Sequence, residues 1–254
     1  MYKEPINNYL HVHRHTKFDI KAILFDMDGV LFDSMPYHAE AWHQVMCAHR
    51  MPLSREEVYL HEGRTGESTI RIVCRREQNR EAGREEINSI YEEKTNMFNR
   101  FPEARPMPGT RAMLDRIKAD GLTPMVVTGS GQHSLLGRLN SSFPDTFRQE
   151  LIVTAFDVKC GKPNPEPYLM ALSKGRLEPN QAIVVENAPL GVEAGVAAGI
   201  FTIAVNTGPL DDSVLLDAGA HLLFPSMQAL ADAWEELYTA FKSFPTIDPI
   251  TYEI

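Results

Sequence analysis

Two aspartates, Asp26 and Asp28, stand one residue apart where an apolar run ends, in Phe25-Asp26-Met27-Asp28-Gly29. On an extended chain, side chains at i and i+2 point to the same side. Two carboxylates that close repel each other unless a cation lies between them or they share a proton. A divalent, oxygen-seeking cation resolves the conflict, although an isolated pair of this kind reads equally well as turn acids capping a helix. Three other segments bear on the choice. Thr128-Gly129-Ser130-Gly131 follows the apolar run Pro124 to Val127, and its small residues leave backbone N–H groups free to receive a phosphate at a helix start. In Gly161-Lys162-Pro163-Asn164-Pro165, two prolines stiffen a loop that presents one lysine. Glu186 and Asn187 close the run Ala182 to Val185 with further oxygen donors of the kind a hard cation accepts.

These segments need a frame that brings strand ends together. Near-continuous apolar runs recur at Lys21 to Phe25, Pro124 to Val127, Leu151 to Val153, Ala182 to Val185, Phe201 to Val205 and His221 to Phe224. Helical patterns separate them, which predicts an α/β fold: a Rossmann-like, doubly wound parallel sheet covered on both faces. Asn164 is placed to cap a helix opened by Pro165, and Gly199 to stop the one before it. Met227, Leu230, Ala231, Trp234, Leu237, Tyr238 and Phe241 form one stripe, expected to lie on the sheet. Between Pro36 and Arg105 no strand is legible. Tyr37, Ala41, Trp42, Val45 and Met46, with Ile70, Val73, Ile87, Ile90, Tyr91 and Phe98, predict an inserted helical-bundle cap over 36–105. The core would comprise 20–35 and 106–254, joined to the cap by two hinge segments. Residues 1–19 read as a loose polar tail and Phe244 to Ile254 as peripheral.

Composition narrows the function classes. The chain of 254 residues carries a formal net charge of −9, and an acidic surface repels phosphate backbones and anionic lipids. Nucleic acid and membrane are therefore not expected as partners, and no long apolar segment is legible, which reads as a cytoplasmic protein. The spacing of Cys47, Cys74 and Cys160 favours neither disulfides nor zinc. His11, His13 and His15 are expected in a disordered tail rather than in a metal tract.

The order Asp-x-Asp, Thr-Gly-Ser, Lys-Pro and Glu-Asn, each at a strand end, resembles the haloacid dehalogenase superfamily over nearly the whole chain. The insertion, with Met35-Pro36-Tyr37-His38-Ala39-Glu40-Ala41-Trp42, is similar to the β-phosphoglucomutase-like branch and its mobile cap. Within that branch, Phe25 to Trp42, His61 to Ser68, Thr123 to Gly131 and Val185 to Gly195 resemble a bacterial inorganic pyrophosphatase. The resemblance implies Asp26 as a nucleophile forming an aspartyl-phosphate and Asp28 as acid and base. It implies Mg²⁺ on the Asp26 side chain, the Asp28 carbonyl, Glu186 and Asn187, with Thr128, Gly129, Ser130 and Lys162 holding the transferred phosphoryl group. Halide-removing relatives lack the second aspartate, so Asp28 argues for phosphoryl transfer.

Two departures bear on the substrate. Asn187 stands where the family often has an aspartate. In Leu60 to Gly66, Glu62 and Gly66 occupy places where the sugar phosphomutases carry a lysine and an arginine for the distal phosphate. An acid there repels that phosphate unless it arrives with Mg²⁺ attached. Pyrophosphate is then the leading small phosphorylated substrate, with β-phosphoglucomutase or sugar-phosphate phosphatase activity as alternatives. A non-catalytic phosphate-binding regulator remains as a reading from another class. Arg64, His38 and Lys94 are the further cap residues expected to reach the substrate. The sequence leaves oligomeric state open, with a monomer as one reading.

Overall fold

The computed structural model describes residues 2–131 and 135–243; the segment from Phe244 to Ile254 lies outside them. In chain order the elements are α1 (Lys3–Val12), β1 (Ala22–Phe25), α2 (Met35–Ala48), α3 (Arg55–Leu60), α4 (Gly66–Gln78), α5 (Arg84–Phe98), α6 (Thr110–Ala119), β2 (Thr123–Val127), α7 (Leu135–Ser142), β3 (Ile152–Val153), α8 (Glu166–Gly175), β4 (Ala182–Glu186), α9 (Pro189–Ala197), β5 (Phe201–Val205), α10 (Asp212–Asp217), β6 (Leu222–Phe224) and α11 (Met227–Lys242). The strands form one six-stranded sheet in the order β3-β2-β1-β4-β5-β6, every pair parallel. The order reverses between β1 and β4, and a crevice opens beyond the carboxyl ends of strands at such a point. Asp26 and Glu186 stand there.

The sheet is buried on both faces, as its continuous apolar runs require. Ile23 and Phe25 face a cluster with Ile183, Phe201 and the inner faces of α6 and α11, whereas Leu24, Met125 and Val184 face Tyr168 and Leu172 of α8. Pro124 sits inside β2 without breaking it. β3 pairs only with Val126 and Val127, so at Pro124 that side of the strand is an edge, where a missing N–H costs nothing. Leu151, expected in β3, lies instead in a 3₁₀ turn. α8 begins at Glu166, one residue beyond Pro165, and its first N–H is taken by the Asn164 side chain at 2.9 Å.

The insertion between β1 and β2 holds an apolar core of its own: Trp42, Val45 and Met46 of α2 meet Ile70 and Val73 of α4 and Ile87 and Ile90 of α5. Thr65 caps α4 by accepting the Ser68 N–H at 3.3 Å, which fixes the end of the loop that precedes it.

Residues 1–19 do not form the loose tail expected from their polarity. Ile6, Tyr9 and Leu10 stand at i, i+3 and i+4, a narrow stripe that buries completely against the core. Burying each such side chain contributes about 1.5–3 kcal/mol, and that contact holds a ten-residue helix which would be marginal alone. The Tyr9 hydroxyl donates to the Gly199 carbonyl at 2.6 Å, and its ring stacks on Phe18 and meets Phe201 edge-on. The His13 ring lies tilted against Tyr9 and the His15 ring stacks on it, part of this docking rather than of a disordered tract.

Candidate active site

β1 delivers Asp26 and Asp28 to the reversal point, and Gly29 turns the chain away with φ +83°. Only glycine fits here, because a Cβ would lie 2.1 Å from the Asn187 amide nitrogen. Both aspartates are buried yet line a cavity of about 80 Å³ roofed by the helical insertion. Lys162 reaches Asp26 from the loop before α8; its ammonium also donates to Glu186 Oε1 at 2.6 Å and to the Val127 carbonyl at 3.0 Å. Burial pushes the Asp26 carboxyl up to about 7, with Lys162 opposing and the Glu186 and Asp28 charges reinforcing the rise. Burial alone would lower Lys162, but the two carboxylates overcome it and hold the ammonium charged.

Asp28 is set differently. Ser34 Oγ donates to its Oδ1 at 2.5 Å, and His38 Nε2 lies 3.2 Å from the same oxygen. Burial would raise this carboxyl; His38 and Ser34 outweigh it and hold Asp28 below the usual carboxylate range. Lys94 Nζ is 2.7 Å from His38 Nδ1. A lysine ammonium can only donate, so Nδ1 accepts and the proton of neutral His38 sits on Nε2, directed at Asp28. Burial and the Lys94 charge both lower His38, which keeps the ring neutral. Lys94 is buried beside the rings of Trp42 and Phe98, and burial brings its ammonium down to about 8. A chain from α5 through α2 to the end of β1 therefore sets the second aspartate.

Thr128 is buried at the end of β2, and its Oγ1 accepts the Ser130 N–H at 3.0 Å. The loop between α3 and α4 closes onto this edge of the sheet. A Cβ at Gly129 would meet the Gly63 carbonyl at 2.8 Å, and one at Gly161 would meet Thr65 Cγ2 at 2.9 Å. The absence of side chains at those positions lets the loop approach this closely. Glu62 reaches the sheet edge, where its Oε1 accepts from Asn187 Nδ2 at 2.9 Å. Burial, then the Asp26 charge, raise Glu62 well above its usual range, against the Asn187 bond. Arg64 lines the same cavity, with its Nε buried and without a hydrogen-bond partner.

The structure thus brings Asp26, Asp28, Thr128, Gly129, Ser130, His38, Glu62, Arg64 and Lys94 to one cavity, with Lys162 and Asn187 bonded to its walls. Glu186 stands apart. Its Oε1 accepts from Lys162 and from the Tyr168 hydroxyl at 2.7 Å, and its Oε2 from the N–H groups of Asn187 and Ala188. Four donors fill a carboxylate's lone pairs, so here Glu186 orients Lys162 and offers no free oxygen to a cation. Asn187 Oδ1, by contrast, is a buried acceptor with no partner. Among the described residues no three His, Cys, Asp or Glu side chains form a ready-made metal cluster. The donors that fit a hard cation are instead the Asp26 carboxylate, the Asp28 carbonyl and the orphaned Asn187 oxygen, amid carboxylates that raise one another's proton affinity.

Sequence reasoning did not find Ser34, Tyr168, Arg138 or the role of Tyr91. Arg138 lies over the rings of Phe32 and Phe98, where chain leaves and re-enters the sheet domain. The Tyr91 ring fills the space above Gly66, where a Cβ would come within 2.2 Å of it. Only tertiary contact gives Arg138 and Tyr91 these places, whereas Ser34 lies near enough to Asp28 in sequence to have been a candidate.

The family model for haloacid dehalogenase-like hydrolases matches residues 23–205. Hexitol phosphatase A of Escherichia coli is 33% identical over 73% of this chain and 83% of its own. The phosphorylated carbohydrates phosphatase of Thermotoga maritima is 29% identical over 79% of this chain and 92% of its own. A solved structure from Bacteroides vulgatus, provisionally named a β-phosphoglucomutase, is 63% identical with a TM-score of 0.93, covering 95% of this chain and 98% of that one.

Proposed function

The chain belongs to the haloacid dehalogenase-like hydrolases, and we propose that it is a Mg²⁺-dependent phosphohydrolase that works through an aspartyl-phosphate on Asp26, with inorganic pyrophosphate as its leading substrate. The observation that carries the reaction class is the division between the two aspartates: Asp26 is held by Lys162, Asp28 by Ser34 and His38, and both face one cavity. Asp28, a carboxylate at rest, takes up a proton as the incoming substrate brings negative charge into the cavity; the Asp26 oxygen not bonded to Lys162 then attacks phosphorus, the bond to the leaving oxygen breaks, and Asp28 passes its proton to that oxygen. Asp28 then takes a proton from water, whose oxygen attacks the aspartyl-phosphate and releases phosphate with Asp26 restored. Thr128 and the backbone of Gly129 orient the transferred group, and the Lys162 ammonium, its three N–H groups already given to Asp26, Glu186 and the Val127 carbonyl, balances its charge. Mg²⁺, held by Asp26, the Asp28 carbonyl and Asn187, would supply charge neutralisation at the phosphoryl oxygens.

Glu62 supports the choice of substrate. An acid bonded to Asn187 beside the transfer site suits a distal phosphate that arrives complexed with metal. The cavity of about 80 Å³ is small beside the roughly 300–1,000 Å³ of pockets for larger ligands, and the Tyr91 ring closes it over Gly66. A sugar-phosphate phosphatase or β-phosphoglucomutase is the second reading, favoured by the names of the relatives. No helix among the described residues is long and apolar enough to cross a membrane. The test is phosphate release, with and without Mg²⁺, from pyrophosphate, β-glucose-1-phosphate, other sugar phosphates and an aryl phosphate. A dominant pyrophosphate signal is expected. Conversion of β-glucose-1-phosphate to glucose-6-phosphate with little free phosphate would replace this reading with a mutase.

A further inference from the structure

A second concavity, a groove of about 720 Å³, lies in the seam between the helical insertion and the sheet domain, on the far side of Arg64 and Lys162 from the catalytic cavity. Arg64 lines both spaces. The groove wall carries Arg64, Arg71 and Arg75 from the insertion and Lys159 from the loop before α8, against Glu67 as its acidic residue. Two of these cations are committed elsewhere: Arg71 bonds Glu67 at 2.8 Å and Arg75 bonds Glu81. The other two make no side-chain hydrogen bond to an acid, although the Glu193 charge lies near Arg64 and the Glu166 charge near Lys159. Arg64 has a buried Nε with no hydrogen-bond partner. Lys159 is exposed, and the acidic group near it, Glu166, spends both carboxylate oxygens on the backbone N–H groups of Lys159 and Cys160. In a chain of net charge −9, a concave patch of positive sign focuses small anions toward itself.

We propose that this seam groove is a second anion site, for free inorganic phosphate or a compound of the same class, held by Arg64 and Lys159. Phosphate released from the catalytic cavity would meet this groove on the neighbouring face of the same arginine. The inference relies on the active site only as a source of phosphate and holds for any phosphate compound cleaved there.

Calorimetric titration of the full chain with inorganic phosphate, and the inhibition of aryl phosphate hydrolysis by phosphate, test it together. The wild-type chain should bind two phosphates and show mixed inhibition. Lys159→Glu, a surface change outside the catalytic machinery, should leave kcat and KM at low phosphate unchanged, bind one phosphate, and weaken the non-competitive part of the inhibition about fivefold or more. A single phosphate per wild-type chain, or two undiminished in Lys159→Glu, would overturn the second site. Absence of any hydrolysis would remove the phosphohydrolase reading instead, and the count of bound phosphates would still decide the groove.

Discussion

Glu62 can be probed so that its hydrogen bond and its charge are read separately. Glu62→Gln keeps an oxygen that can accept from Asn187 Nδ2, at 2.9 Å in the structure, but cannot ionise, whereas the proton that burial and the Asp26 charge hold on Glu62 is drawn off when a cation enters the site. A hydrogen bond to a charged acceptor is worth about 1.5–3 kcal/mol and a neutral one about 0.5–1.5. The weakened latch should therefore cost about 1 kcal/mol, roughly fivefold in kcat/KM, for any substrate that needs the insertion closed. Metal-complexed pyrophosphate should lose more. Opposite charges 4 Å apart attract by about 4 kcal/mol at an effective dielectric of about 20, and half of that is a further factor of roughly thirty. The expected result is a loss of about fivefold on an aryl phosphate and about 150-fold on pyrophosphate. Glu62→Ala removes latch and charge together and should cost both substrates more than Glu62→Gln does. The assay is steady-state phosphate release from the two substrates at saturating Mg²⁺. If Glu62→Gln lowers both alike, the charge has no part in choosing the substrate.

Three other outcomes are expected. Asp26→Asn should abolish turnover while the melting temperature stays equal or rises, because the substitution removes an acid that burial pushes up to about 7; substantial residual turnover would remove the covalent mechanism. Asn187→Asp should lower the half-saturating Mg²⁺ by roughly tenfold, and in the wild type that concentration should climb as pH falls below 7, where protons compete for Asp26. An unchanged Mg²⁺ titration would show that residue 187 is no ligand. His221 is lowered to about 4, chiefly by burial, so the unfolded chain takes up its proton first. Stability from this group is complete above about 6.5 and is lost as pH falls toward 4. His221→Asn, which can still accept the Thr202 N–H, should show a flatter melting profile over that window, and parallel profiles would count against it.

Much of this was legible because the family's motifs sit at strand ends, where local signals are strong. The six apolar runs, Gly29, and the carboxylates Asp26 and Asp28 each announce themselves within a few residues. Glu186 misled for a reason that sequence hides. Its oxygens are filled by donors as distant as Lys162 and Tyr168, and no local pattern records that saturation. Tyr91 and Arg138 acquire their positions only when helices far apart in the chain meet. α1 was lost in the opposite way: an average over polar residues conceals a stripe of three, and three side chains are enough when a matching hollow waits between Phe18, Phe201 and Phe241.

That docked helix bears on how the protein can be handled. The family model begins at residue 23, so trimming the chain to that boundary would look harmless. It would remove Ile6, Tyr9 and Leu10 and expose the aromatic faces of Phe201 and Phe241 to water. Exposed apolar patches of that kind drive self-association. A shortened chain could retain every catalytic group and still precipitate, and an affinity tag fused close to Lys3 would strain the same joint.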